Sequence, residues 1–139
     1  MEELLEFYLK YFSFLYLDPN YHITDSSTDG SATINASLTA TGPLLSWQLT
    51  NNLGQIRIDI APTKLSSPGN WFRISIIRQY LDGYDEQSPV SPGDAVAWVR
   101  DNLSRIEELF SDSSATASCT ALTELENANA IKYWGTPKE

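Results

Sequence analysis

The chain has 139 residues, of which 42% are hydrophobic and 12% aromatic, and its formal net charge is −9. This apolar content excludes a disordered chain, and the length suits one compact unit, so we expect a single α+β domain over residues 1–139. The nine lysines and arginines are scattered along the sequence. They form no basic run of the kind that phosphate contacts need, which argues against nucleic acid as a partner.

A single cysteine, Cys119, and a single histidine, His22, restrict the chemistry that the chain can support. They allow neither an internal disulfide nor a zinc site of the usual spacing. The sequence also has no glycine-rich phosphate loop and no nucleophile elbow. We therefore expect no metal, no cofactor and no catalytic residue.

The first residues predict neither a signal peptide nor a membrane helix. Met1 is followed by two glutamates instead of a basic segment, and Glu6 and Lys10 interrupt the apolar stretch that follows. Such a stretch is too short and too charged to span a bilayer. We expect a cytoplasmic protein without a membrane contact.

Residues 3–17 contain good helix formers with no glycine or proline, and Asp18-Pro19 follows them, which predicts an N-terminal helix. Its apolar side chains fall in two adjacent stripes. One stripe is Leu5, Tyr8, Phe12 and Leu15, and the other is Leu4, Phe7, Tyr11 and Phe14. A helix that is apolar on more than one side is either enclosed in a core or covered by another chain. Core packing and a homodimer through this aromatic helix therefore remain open.

A two-residue period from residue 31 to residue 61 predicts three consecutive antiparallel strands. In the last of them, three isoleucines alternate with Gln55, Arg57 and Asp59. Turn residues separate the strands at Gly42-Pro43 and at residues 51–54. A short apolar run at residues 21–24 adds one further candidate strand. The result is a three- to four-stranded antiparallel meander.

The remaining sequence predicts two or three C-terminal helices. The first covers residues 72–82 and ends at Gly83, with a strand still open for residues 71–75. The second covers residues 91–110, where Ser91 caps the helix and Pro92 takes its first position. Small polar residues at 111–120 predict a flexible joint. Residues 122–134 predict a weaker last helix that ends at Gly135, and residues 136–139 a frayed end.

Two sets of residues are candidates for binding. Gln48, Arg57 and Asp59 share the polar face of the meander, where they form either a recognition patch or a surface ion pair worth ~0.2–1 kcal/mol. Trp47, Trp71 and Trp98 with Tyr80 are candidates for an aromatic pocket between the sheet and the helices. Trp98 also begins a helical row with Asn102 and Arg105, which we expect to meet the sheet or a partner.

Part of the chain resembles a loose group of small bacterial proteins. The resemblance rests on residues 45–60, especially the Gly54-Gln55 turn, and on Trp71-Phe72 at the start of a helix. Members of the group share an N-terminal helix, a meander with a Gly-Gln turn and a tryptophan that opens the next helix. Some look like immunity proteins of polymorphic-toxin systems, and many have no assigned role. The aspartate and arginine typical of the turn are replaced here by Asn52 and Leu53, and no catalytic residue carries over.

From these patterns we expect a bacterial protein-binding module, and the resemblance suggests an immunity-like inhibitor of a toxin domain. The negative charge of the chain would favour a basic toxin domain as the partner. Two alternatives remain open. One is a secretion-chaperone-like dimer formed through the aromatic first helix. The other is a small-molecule-binding enzyme that uses the aromatic pocket.

Overall fold

The computed structural model describes residues 2–27, 36–52, 55–65, 68–85 and 90–135. Within these ranges, helices α1 (Glu2–Tyr11) and α2 (Ser13–Tyr16) precede the strands. The strands are β1 (His22–Ser27), β2 (Ala36–Thr41), β3 (Leu45–Asn52), β4 (Gln55–Pro62) and β5 (Phe72–Arg73), with 3-10 turns at Thr63–Leu65 and Pro68–Asn70. The helices α3 (Ile74–Asp82), α4 (Pro92–Asp101), α5 (Leu103–Leu109) and α6 (Ala115–Trp134) follow.

The predicted α+β fold and its antiparallel meander are confirmed, with five strands instead of three or four. The strands form one sheet in the order β1-β2-β3-β4-β5. The candidate strand at residues 21–24 corresponds to β1, which pairs with β2. The fifth strand is β5, in which Phe72 lies opposite Ile60 and Arg73 opposite Asp59. The pairing register of β2, β3 and β4 aligns apolar side chains in two rows that run across these strands. These rows are Leu38, Leu49 and Ile58, and Ala40, Trp47 and Ile60.

The helices cover the apolar face of the sheet. Helix α1 contacts β2, β3 and α4, while α3 and α4 contact β4. Trp47 lies at the centre of this layer with no exposed surface, and its ring meets that of Phe12 edge to face at 5.6 Å between centroids. Nearer β5, the rings of Phe72 and Phe110 stack at 6.3 Å. The core therefore lies between one sheet face and the helices.

The predicted N-terminal helix is interrupted once, at Phe12. The backbone of Phe12 leaves the helical region (φ −107°, ψ 28°) between α1 and α2, and its side chain is fully buried. Three residues of the first predicted stripe, Tyr8, Phe12 and Leu15, are nevertheless buried on both sides of this break. Leu4, not Leu5, joins Tyr8 in the core, and the side chains of Leu5 and Leu9 are 38% and 52% exposed.

The predicted helix over residues 72–82 begins two residues late. Phe72 and Arg73 are extended, because they pair with β4, and the helix starts at Ile74. It ends as predicted at Gly83, whose φ of 70° lies in the left-handed region that glycine adopts without strain.

The predicted helix over residues 91–110 is broken into α4 and α5. Its start is confirmed, since Ser91 Oγ accepts a hydrogen bond from the Asp94 backbone N–H at 3.2 Å. The break lies at Asn102, whose backbone is not helical (φ −117°, ψ 17°). There the Asn102 side-chain amide donates to the carbonyl of Trp98 at 2.8 Å.

The prediction of a flexible joint over residues 111–120 is wrong for its second half. Helix α6 begins at Ala115 and ends at Trp134, and Gly135 caps it, as predicted for its C-terminus. Ala115, Ser118 and Cys119 are buried on one side of this helix, which packs against α3. The composition that indicated a joint therefore belongs to the buried face of a helix, where Cys119 joins the core and Gln79 of α3 meets Asn129 further along.

Several predictions fall on parts of the chain outside the described residues. They are the alternation over residues 31–35, the Gly54 position of the second hairpin turn, and the frayed end at residues 136–139.

Among the helices that the structure does describe, none combines the length and the apolar character needed to cross a membrane.

The central position of Ile60 gives a direct test of the fold. Ile60 has no exposed surface, so Ile60→Ala should lower the free energy of unfolding by about 2–5 kcal/mol. The matched control is Ile131→Ala, because Ile131 is 51% exposed and its truncation should change stability by no more than about 0.5 kcal/mol. Urea unfolding followed by circular dichroism measures both. Equal losses in the two variants would contradict the described core.

Candidate functional site

The polar face of the sheet brings together three of the predicted binding residues. Gln48 on β3 lies opposite Asp59 on β4, and Asp59 lies opposite Arg73 on β5. Residues in register point to the same face of a sheet, as do residues two positions apart on one strand. Arg57 therefore joins the row of Gln48, Asp59 and Arg73.

Arg57 is held by a buried carboxylate. Its Nε donates to both carboxylate oxygens of Asp59 at 3.1 Å. The Asp59 side chain is 9% exposed, whereas that of Arg57 is 62% exposed. In the described part of the chain, neither terminal nitrogen of Arg57 has a hydrogen-bond partner. The guanidinium is thus oriented by one edge and offers its other nitrogens to a second carboxylate.

Arg73 continues the row toward α6. Its Nη1 donates to Glu126 of α6 at 3.1 Å, and both side chains are about one-third exposed. This ion pair ties the last helix to the edge of the sheet that β5 forms. Arg73 was not predicted as a site residue, because its place beside Asp59 depends on a two-residue strand with no period of its own.

The three tryptophans predicted as binding residues lie apart. Trp47 is on the opposite, apolar face of the sheet and has no exposed surface. Its indole nitrogen has no partner of hydrogen-bond geometry among the residues described, yet it influences Tyr21. Burial raises the pKa of the Tyr21 phenol, and the Trp47 indole partly opposes that rise. Trp71 is half-buried just before β5, so the structure places these rings in different surroundings.

Trp98 belongs to a polar cluster between α3 and the break at Asn102. Its indole nitrogen donates to Asp82 at 2.9 Å, and Arg105 donates to the same carboxylate at 2.8 Å. Arg105 also donates to the carbonyl of Leu81 at 3.1 Å, near the end of α3. The predicted row of Trp98, Asn102 and Arg105 therefore meets α3 and not the sheet. The hydrogen bonds from Arg105 and Trp98 hold the pKa of Asp82 below its ordinary value.

A cation completes this cluster. The Arg78 guanidinium lies 4.3 Å from the ring centre of Tyr84 and 5.6 Å from that of Trp98. Contacts of this kind are worth about 0.5–1 kcal/mol at exposed sites. Trp98 thus contributes to a junction between helices, and its ring faces an arginine of its own chain.

Two adjoining depressions lie along β4. One, of about 560 Å³, is lined by Phe7, Tyr11, Gln55, Ile56, Ser91, Pro92 and Gly93. The other, of about 270 Å³, is lined by Ile56, Arg57, Ile58, Arg73, Ile74, Ser75, Val90, Pro92 and Ala95. Because Ile56 and Pro92 line both, the two form one groove between β4 and the start of α4. We call it the β4 groove.

The side chains that could bind a metal ion are dispersed in the part of the chain that the structure describes. No group of three or more His, Cys, Asp and Glu side chains in the described ranges is arranged to hold a metal ion. His22 is exposed on β1. Cys119 is buried, and burial raises the pKa of its thiol, so the reactive thiolate is disfavoured near neutral pH.

The polar cluster predicts a pH dependence of stability. Because the folded-state pKa of Asp82 is lowered, the unfolded state binds more protons there, and stability rises with pH. Asp82→Asn should therefore be less stable than the wild type at neutral pH, and the difference should shrink as the pH falls below about 4. Thermal unfolding across this pH range measures it. The control is Asp101→Asn, since Asp101 is 71% exposed and lies 3.9 Å from Arg100; a pH-independent deficit in Asp82→Asn would contradict the cluster's role.

Comparisons of the chain with protein-family models, with curated proteins and with solved structures find no match. The resemblance to small bacterial immunity-like proteins therefore rests on residues 45–60 and on Trp71-Phe72 alone. Of its two motif-like positions, Trp71 precedes β5 and not a helix, and Gly54 lies outside the described residues.

Proposed function

We propose that this chain is a protein-binding module that uses the polar sheet face around Arg57. The observation that carries the proposal is the exposed Arg57 guanidinium, fixed through Nε by the buried carboxylate of Asp59. Arginine is enriched among the residues that dominate binding energy at interfaces. A side chain that is already oriented loses less conformational entropy when it binds. Gln48, in register with Asp59, adds an amide donor and acceptor beside it.

Within this function, we propose an immunity-like inhibitor of a toxin domain as the most concrete form. The net charge of −9 would speed the encounter with a basic domain such as a nuclease, because opposite net charges steer association. Arg57 would then pair with one carboxylate inside that contact. An inhibitor of this kind would act in the cytoplasm of a bacterium, where it protects the cell that makes the toxin.

A dimer through the first helix is a second candidate, and one observation favours it. Leu5 and Leu9 lie one turn apart on α1 and are 38% and 52% exposed. The aromatic residues of the same helix pack within the chain: Tyr8 is buried, and Tyr11 contacts Gly93 of α4. The surface that remains for a second copy is therefore a leucine flank and not the aromatic stripe.

The dimer has its own test. If the second candidate is correct, Leu9→Glu should convert a wild-type dimer into a folded monomer, since the Leu9 side chain is 52% exposed, and the melting temperature should lose its dependence on protein concentration. Light scattering after size-exclusion chromatography measures the mass. Lys10→Glu serves as the control on the same helix, because Lys10 is also exposed. A monomeric wild type would exclude this candidate.

The role of Arg57 in partner binding can be tested by capture. The tagged chain is incubated with lysate of the source organism, captured proteins are identified by mass spectrometry, and their affinity for purified variants is measured. Arg57→Gln should weaken binding of the captured partner about 10- to 30-fold, the loss expected for an interface residue worth about 1.4–2 kcal/mol.

The matched control for that experiment is Arg100→Gln. The side chain of Arg100 is 60% exposed, close to the 62% of Arg57, but its nearest carboxylate contact is 3.9 Å long. Its removal changes the net charge by the same amount and should leave the affinity within about two-fold, since isolated exposed charges contribute little. Equal losses of affinity for the two variants would show that only the net charge matters, and would contradict the proposed interface.

A further inference from the structure

Strand β4 has a neighbour on its outer side over only part of its length. It runs from Gln55 to Pro62, but β5 pairs only with Asp59 and Ile60. In the described structure, no strand pairs with residues 55–58 on that side. Successive residues of a strand direct their backbone N–H and C=O groups to alternate edges. Two of these four residues therefore present donors and acceptors to the open side, which is a template for another strand.

Within the described residues, this edge is open because β5 ends where α3 begins. Arg73 is the last extended residue, and Ile74 starts the helix. The next residue of β5 would have paired with Ile58. The chain instead turns away at that point, so Ile74 forms part of the wall of the β4 groove.

The β4 groove provides room for alternate side chains of an added strand. It follows residues 55–58 along the edge of the sheet, where Ile56, Ile58, Val90 and Pro92 form its apolar wall and Arg57 and Arg73 line it from the polar face. Ile56 and Pro92 are shared by its two halves of about 560 and 270 Å³. A strand placed here would direct every second side chain into this groove and the others toward the polar face.

On the polar face, the added strand would meet Arg57. The terminal nitrogens of Arg57 have no hydrogen-bond partner in the described ranges, because Asp59 engages only its Nε. Opposite charges on neighbouring strands stabilise their pairing, and a carboxylate can accept two parallel bonds from a guanidinium. An acidic side chain on the outer face of the added strand is therefore the complement of this edge.

We propose that the open edge of β4 at residues 55–58 binds an extended segment of a partner protein as an added strand, in which apolar side chains alternate with acidic ones. The apolar side chains occupy the β4 groove and an acidic one pairs with Arg57. Main-chain hydrogen bonds supply affinity in this mode, and the side-chain pockets supply specificity. The inference rests on the proposed protein-binding function and specifies the part of the partner that is recognised.

The probe is a displayed library of random peptides about ten residues long, the upper length of a typical strand. Selection on the immobilised full chain should enrich sequences in which apolar and acidic residues alternate. The strongest binder is then synthesised with a fluorescent label, together with a variant in which lysine replaces each acidic residue. Anisotropy should show at least about 10-fold weaker binding of the lysine peptide to the wild type, and of the acidic peptide to Arg57→Gln. Arg100→Gln should bind the acidic peptide as the wild type does.

Hydrogen exchange tests the added strand itself. When the peptide binds, two of the four backbone N–H groups at residues 55–58 should exchange at least about 10-fold more slowly. A contact made through side chains alone would not slow them. This measurement on the wild type does not depend on the folding of any variant.

Other outcomes overturn the inference. They are the absence of any binder, enriched peptides without alternation, unchanged affinity in Arg57→Gln, and protection that lies elsewhere. A dimer of the free chain whose formation protects these same N–H groups would assign the edge to a second copy. If the partner captured from lysate still needs Arg57 for binding but no library peptide binds, the protein-binding function stands and strand addition is refuted. Failure of both experiments refutes the two proposals together.

Discussion

The pairing of β3 with β4 is the constraint on which the rest of the structure depends. It extends over eight positions and fixes two opposite faces at once. Trp47 faces Ile60 on the helix side, while Gln48 faces Asp59 on the other side. A slip of one residue would exchange these faces and expose the core side chains. Since burial of one large apolar side chain is worth roughly 1.5–3 kcal/mol, the core and the polar face are stabilised by the same register.

Local patterns in the sequence were sufficient for much of this fold. The alternation of isoleucines in β4, the cap at Ser91 and the terminators Gly83 and Gly135 are each determined by a few neighbouring residues. The predictions were wrong where contacts with residues distant in the sequence determine the local backbone conformation. Phe12 leaves the helix because its side chain fills the core against Trp47. Residues 115–120 are helical, and their small side chains Ala115, Ser118 and Cys119 are buried by residues distant in the sequence.

The candidate site was predictable to a similar extent. The alternation of side chains along a strand was enough to place Gln48, Arg57 and Asp59 on one face of the sheet. The burial of Asp59 was not predictable, since it requires Arg73 from β5 at its side. The β4 groove was hidden for the same reason, as it exists only because β5 stops after two residues. The sequence pattern places Trp98 in an aromatic pocket. Its actual position beside Asp82 depends on the packing of α3 against α4, which no local pattern predicts.

The order of the strands along the chain has a consequence for how the protein folds. Each strand pairs with the strand that precedes or follows it in sequence, so no pairing closes a long loop and every step has a small entropic cost. Chains rich in such local contacts fold quickly. During synthesis the sheet can form as soon as Arg73 has left the ribosome, before the four helices α3 to α6 have emerged. The unfinished apolar face would then be covered first by α1, which is already made, and the C-terminal helices would complete the layer.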